Sequence, residues 1–144
     1  MLFGGTWHLC DDGFVRPVLR CEIQAADGTW HQAPFLLDTG ADRTVFSADV
    51  ARPLGLAPVA TSDRLGGVGG AADSVVFQTK IAMRREDGSA VHFNGQFAAF
   101  TDPISLDMSV LGRDITNLFA VIVDRPQDVI CLLGREHHYR IENL

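Results

Sequence analysis

No stretch of this 144-residue chain is long and apolar enough to span a bilayer as a helix, which sets aside the membrane-embedded helical classes. A basic stripe is also missing. Acidic residues outnumber Lys and Arg by 18 to 12, the net charge is −6, and the two signs are interspersed, so a phosphate backbone is not an expected partner. Cysteine is scarce: Cys10, Cys21 and Cys131 are odd in number and widely spaced, which argues against a disulfide framework or a zinc site and fits reduced, buried thiols. The opening MLFGGTWHLCDDG has no basic start, and His8 and Asp11-Asp12 interrupt its apolar character, a poor match to a signal peptide. Cytoplasmic residence is the expectation. His137 and His138 are adjacent and therefore diverge in a helix or a strand. No Cys/His/Asp cluster completes a ligand set, so no metal and no cofactor is expected.

Hydrophobic residues make up 47% of the chain, enough for one core, and residues 1–144 are expected to form a single domain. Long helical periodicity is absent, and short β-type segments separated by turn chemistry dominate. FVRPVLRCEIQA (14–25), broken at Pro17, and WHQAPFLL (30–37) flank the turn ADGT and predict a hairpin. SADVARPLGL (47–56) predicts a helical turn or two, with Ser47 as N-cap and Pro53 as breaker. VVFQTKIAMRR (75–85) and AVHFNGQFAAF (90–100) read as paired strands, TDPISLDM (101–108) as a loop, and SVLGRDITNLF (109–119) as a strand end followed by a short helix. AVIVD and VICLL close the pattern as a last hairpin around RPQD. The tryptophans and most phenylalanines suit a core or an interface between chains.

Three motifs carry the chemistry. FLLDTGADRTVF ends an apolar strand on a lone carboxylate, Asp38, between flanks that would bury it, and a buried carboxylate needs a partner. Gly40 permits close backbone approach, and its amide is placed to donate to a carboxylate. RLGGVGG follows as a glycine-rich hairpin, and VLGRD comes third. Residues 67–72 also fit the loose dinucleotide pattern G-x-G-x-x-A. That pattern needs a strand before it and a helix after it, and the flanking TSDRL and DSVVFQTK supply neither.

In this order the three motifs resemble those of the retropepsin-like aspartic proteases, the single-domain class that includes the retroviral enzymes, and they anchor residues 14–133. The resemblance implies an all-β fold: a small closed β-barrel with one short C-terminal helix and a glycine-rich flap hairpin. It implies an aspartic endopeptidase whose catalytic Asp38 meets its own copy across a homodimer axis, acting on a peptide or protein substrate. The chemistry is independently sound, since hydrolysis without a covalent intermediate needs a base for water and an acid for the carbonyl oxygen, and two carboxylates sharing one proton supply both. A chain with one DTG triplet builds that pair only with a second chain.

By the same resemblance, Thr39, Gly40, Ala41, Asp42 and Arg113 support the catalytic loop. Thr39 turns its hydroxyl across the dimer axis, and Asp42 pairs with Arg113 in a bidentate, partly buried brace. Leu65, Gly66, Gly67, Val68 and Gly69 form the flap over bound peptide, of the glycine-tipped type, because the sole tyrosine, Tyr139, lies far along the chain. Val110 and Leu111 wall the cleft. Ala41 stands where many relatives have a hydroxyl that donates to the carboxylate, which implies a pH optimum nearer mild acid to neutral. The alternative is a retropepsin-like peptide-binding or dimerisation module with little turnover. The intact motifs favour the enzyme.

Overall fold

The structure, a computed structural model, describes residues 2–67 and 70–134. Eleven strands run in chain order: β1 (Leu2–Gly4), β2 (Thr6–Leu9), β3 (Val15–Gln24), β4 (Trp30–Leu37), β5 (Val45–Phe46), β6 (Ala60–Gly67), β7 (Gly70–Arg84), β8 (Ala90–Phe100), β9 (Ser109–Leu111), β10 (Ala120–Asp124) and β11 (Val129–Leu133). Two short helices, α1 (Ala48–Ala51) and α2 (Arg113–Thr116), interrupt them, and a 3-10 turn at Arg52–Leu54 follows the first. The all-β class is as the sequence leads one to expect.

The strands form a three-stranded sheet, β1-β11-β10, and an eight-stranded sheet, β2-β3-β4-β9-β5-β8-β7-β6. An extra pairing of Glu22 and Ile23 on β3 with Ala82 and Ile81 on β7 closes β3, β4, β9, β5, β8 and β7 into a ring. Alternation along the strands turns Leu19, Cys21 and Ile23 of β3 and Ala33, Phe35 and Leu37 of β4 into the centre of that ring. Phe46 joins them, its ring 6.0 Å from Phe35 and 5.7 Å from Phe97. Each fully buried phenylalanine contributes about 1.5–3 kcal/mol relative to exposure. Cys21 and Cys131 are buried free thiols, and burial pushes the Cys21 thiol up to about 12.

Local chemistry explains most of the connections. In the β3–β4 turn Gly28 takes a positive φ of 84°, while the Asp27 carboxylate accepts from the Thr29 amide and hydroxyl. The β7–β8 turn repeats the device with Gly88, Asp87 and Ser89. Pro17 does not break β3. It lies where β3 pairs only with the short β2, opposite Trp7, so no central ladder needs its missing amide hydrogen. The α-helix ends at Ala51, with Arg52 as its C-cap directly before Pro53, as the breaker leads one to expect; Pro53 itself sits in the 3-10 turn that follows, which Gly55, at φ 62°, terminates. Ser47 occupies the N-cap of α1 without a side-chain capping bond. Its amide donates instead to the Ser109 hydroxyl of β9, at 3.0 Å.

The N-terminal segment, which carries no clear strand signal, forms β1 against β11 and β2 against β3. Both are short pairings between distant or turning segments, and three or four residues are too few to show a period. No helix among the described residues is long and apolar enough to cross a membrane.

Candidate active site

The parallel pairing of β4 with β9 builds the site. Leu37 lies opposite Leu111, so the chain leaves β4 at Asp38 beside the point where it leaves β9 at Gly112. The Asp38 amide continues that pairing by donating to the Leu111 carbonyl at 3.2 Å. The loop then turns, with the Ala41 amide donating to the Asp38 carbonyl at 3.2 Å and the Gly40 amide donating to Asp38 Oδ1 at 2.9 Å. A Cβ on Gly40 would stand 3.2 Å from that oxygen, so the close approach is what favours glycine here. Asp38 is half-buried in the single chain, at the open end of the strand rather than enclosed, and Thr39 and Gly40 are exposed.

The start of α2 braces the loop from below. The Arg113 amide donates to the Ala41 carbonyl at 2.8 Å. The Arg113 side chain forks, with Nη1 donating to the Thr39 carbonyl at 3.1 Å and Nη2 paired with Asp42 Oδ1. The expected bidentate, partly buried Arg113–Asp42 pair is therefore corrected: one arm of the guanidinium serves the backbone, and the two side chains are 43% and 82% exposed. An exposed pair of this kind is worth up to about 1 kcal/mol in stability. Its consequence is geometric, because it ties the ends of the loop to the helix.

Thr44 and Asp114 form a second brace to which the sequence motifs alone assign no role. Asp114 Oδ1 accepts from the Thr44 amide at 2.9 Å, the Thr44 hydroxyl at 2.7 Å and the Ile115 amide at 3.0 Å. The Thr44 hydroxyl oxygen in turn accepts from the Gly112 amide at 3.1 Å. Thr44 is 1% exposed. The two strand exits pass so close here that a Cβ on Gly112 would overlap the backbone of Arg43 and come within 2.8 Å of the Thr44 nitrogen. The legible signal was a threonine opening the apolar pair Val45-Phe46 and an acid in the first turn of a helix, where it also complements the exposed amides. Neither feature names the other as its partner.

The remaining expected site residues divide. Val110 and Leu111 cannot both wall a cleft, since neighbours on β9 point to opposite faces. Leu111 is fully enclosed in the core cluster and supports the loop from beneath, which corrects its expected role, whereas Val110 lies outside that cluster. Leu65, Gly66 and Gly67 lie at the end of β6, which pairs antiparallel with β7 up to Gly67 opposite Gly70, so the glycine-rich segment is a hairpin. Its tip, Val68 and Gly69, lies outside the described residues, as do His137, His138 and Tyr139. A cavity of about 220 Å³ lies between α1 and the β7–β8 hairpin, lined by Ala51, Leu56, Val75, Phe77 and Phe100, and includes no residue of the 38–44 loop. No group of three or more His, Cys, Asp or Glu among the described residues is placed to hold a metal ion.

Residues 23–137 match the family described as aspartyl protease, a span that contains all three motifs. No curated protein sequence matches the chain. Among solved structures, the EIAV protease in complex with the inhibitor HBY-793 is similar with a TM-score of 0.52 and 25% identity, over 71% of this chain and 86% of that one. A retropepsin-like aspartic protease from Rickettsia conorii shares the fold at a TM-score of 0.52 and 17% identity, over 92% of this chain and 88% of that one. With the strand exits at Asp38 and Gly112 stitched together as described, and with this match across most of its length, the chain belongs to the aspartyl protease family and is a retropepsin-like aspartic endopeptidase.

Proposed function

We propose that two copies of this chain bring their Asp38 carboxylates together across a twofold axis, and that the pair hydrolyses peptide bonds by activating water. The observation that carries the reading is the state of Asp38 in one chain. The carboxylate is half-buried at an open loop, with Oδ1 held by the Gly40 amide and Oδ2 without a hydrogen-bond partner among the described residues. The 144 residues hold one DTG triplet, and in this reading the second carboxylate is the Asp38 of a second copy. Thr39 and Asp42, exposed on the same loop, are available to face that chain.

The step then follows from two carboxylates sharing one proton. The ionised Asp38 takes a proton from water as the water oxygen bonds to the peptide carbonyl carbon. The protonated Asp38 of the second copy gives its proton to the carbonyl oxygen. The resulting diol collapses as one hydroxyl returns its proton to the ionised carboxylate, the carbon–nitrogen bond breaks, and the leaving nitrogen takes the proton held by the other carboxylate, which restores the dyad. In this reading Gly40, Ala41 and Arg113 hold the carboxylate's loop, Leu65 to Gly69 close over an extended substrate, and Val110 forms part of the cleft wall.

The test is cleavage of a peptide library by purified wild-type chain and by Asp38→Asn, with oligomeric state measured by sedimentation. Cleavage that falls to background in Asp38→Asn, and specific activity that falls on dilution through dimer dissociation, is the expected result. Turnover retained by Asp38→Asn, or by a strict monomer, overturns the dyad. A wild-type dimer that binds peptides without cleaving them would make the chain a binding module instead.

A further inference from the structure

The cavity between α1 and the β7–β8 hairpin owes its space to small side chains on one wall. Ala48 and Ala51 of α1 and Gly55, which caps the 3-10 turn, supply the helical side, while Val75 and Phe77 of β7 and Phe100 of β8 supply the sheet side. About 220 Å³ is left between them. Val75 and Phe77 are two positions apart on one strand and so turn to the same face. Val75 also stands opposite Thr61 in the β6–β7 pairing, so this wall is the base of the glycine-rich hairpin.

Water is poorly held along such walls, because aliphatic and aromatic groups offer it no hydrogen-bond partners. Displacing poorly held water with an apolar group is favourable. An apolar cavity of about 150 Å³ accommodates a benzene ring. The larger space here admits a ring with a short chain attached.

One charge lines the cavity. Arg52, exposed at its rim, is the sole ionisable residue among those lining it, and Thr101 is the sole other polar one. The Arg52 guanidinium makes a single hydrogen bond among the described residues, with Nη2 donating to the Thr101 carbonyl at a long 3.4 Å. Ion pairs among the described residues engage Arg16, Arg84, Arg113 and Arg125, and Arg52 is in none of them. Asp49 and Asp102, close to the rim in sequence, and Asp73, whose carbonyl accepts from the Thr101 amide, do not line the cavity. A guanidinium carries five N–H donors in a planar fork, so most of its capacity is open to a planar anion.

We propose that this cavity binds a small monocarboxylate with an apolar body, its ring or chain against Val75, Phe77 and Phe100 and its carboxylate on Arg52. A neutral molecule of the same shape forgoes the charge-assisted bonds to the guanidinium. A second carboxylate would be driven against an apolar wall with nothing to pair it. No residue of the 38–44 loop lines the cavity, so binding here is independent of how Asp38 acts.

The test is an NMR titration of the full chain, carrying isotope-labelled methyl groups, with phenylpropanoate. Saturation with a Kd below about 1 mM is expected, with shifts at the Leu56 and Val75 methyls and none at Val110. Phenylpropanamide, which has the same shape without the charge, should bind the wild type about tenfold more weakly, and Arg52→Gln should weaken phenylpropanoate by the same factor. Ala51→Leu, which fills the cavity, should abolish binding; if that variant loses its fold, Arg52→Gln and the amide still decide. Amide and acid binding equally well, or Arg52→Gln binding as the wild type does, overturns the inference. So does the absence of saturation at about ten times the expected Kd. Shifts at Val110 in place of Leu56 and Val75 put the probe in the cleft beside Asp38 and overturn it as well.

Discussion

Replacing Asp114 separates the contribution of its charge from that of its hydrogen-bond geometry. Three donors converge on one oxygen, Oδ1: the Thr44 amide, the Thr44 hydroxyl and the Ile115 amide, while Oδ2 gains only a second, shared contact from the Thr44 amide at 3.0 Å. Asparagine with its carbonyl oxygen at the Oδ1 position keeps the three donors to that oxygen satisfied and loses only the shared contact at Oδ2, where its NH2 has to turn away from the Thr44 amide. Alanine keeps none, and it leaves the amide of buried Thr44 without an acceptor. Hydrogen bonds to a charged group are worth about 1.5–3 kcal/mol each when buried, and a buried orphan donor costs about 1–3 kcal/mol. Asp114 is itself largely exposed, and water can replace part of the loss, so the sum is discounted. Asp114→Ala is therefore expected to cost about 2–4 kcal/mol and Asp114→Asn less than about 1 kcal/mol. Urea denaturation followed by the fluorescence of Trp7 and Trp30, at one fixed protein concentration so that association does not vary, reads both values. Equal losses for the two variants would refute the argument, because the charge rather than the three-donor geometry would then hold the loop.

Gly112→Ala forces a methyl group into the backbone of Arg43, where no flexible side chain is available to yield, so a loss of about 3 kcal/mol or more and a sharply lowered melting temperature are expected by calorimetry. Asp42→Asn removes an exposed ion pair and should change the urea midpoint by no more than the equivalent of about 1 kcal/mol. Its effect on kcat/KM should be larger, about tenfold, because the pair positions the 38–44 loop; peptide cleavage and denaturation measured on one preparation distinguish the two effects. The Asp12 carboxyl, lowered to about 2 by Arg16, stabilises the fold above the carboxyl's unfolded value and loses that contribution as pH falls through the folded one. The stability difference between wild type and Asp12→Asn should hold constant from pH 7 to 5 and shrink between about pH 4 and 2, with a carboxyl carbon NMR titration of Asp12 centred near 2.

The hairpins were legible because their determinants are local. ADGT and EDGS carry both the glycine that tolerates positive φ and the aspartate that caps the turn, and the flanking runs alternate well enough to place β3, β4 and β8 within a residue, whereas β7 starts at Gly70, five residues before the expected Val75. Gly40 was legible because a glycine two residues after a strand-end carboxylate lets the backbone approach it, and Arg113 through the resemblance of its motif to that of the retropepsin-like proteases. Pro17 misled because a proline's cost depends on whether its missing amide hydrogen is needed, and that depends on the neighbouring strand. Leu111 was assigned to the cleft although strand alternation, applied to Val110 and Leu111 together, already allows only one of them that face.

The sequence by itself determined the strands with strong turns, the aspartate at the end of one of them and the family, because each is written in residues close together. Tertiary structure alone decided the parallel alignment of β4 with β9, the closure of β3 on β7 and the Thr44–Asp114 brace. These join residues as far as seventy-four positions apart, Leu37 and Leu111 among them. Such pairings are selected by what the whole core can bury and by which polar groups find partners once it has closed, and no short stretch of chain carries that choice.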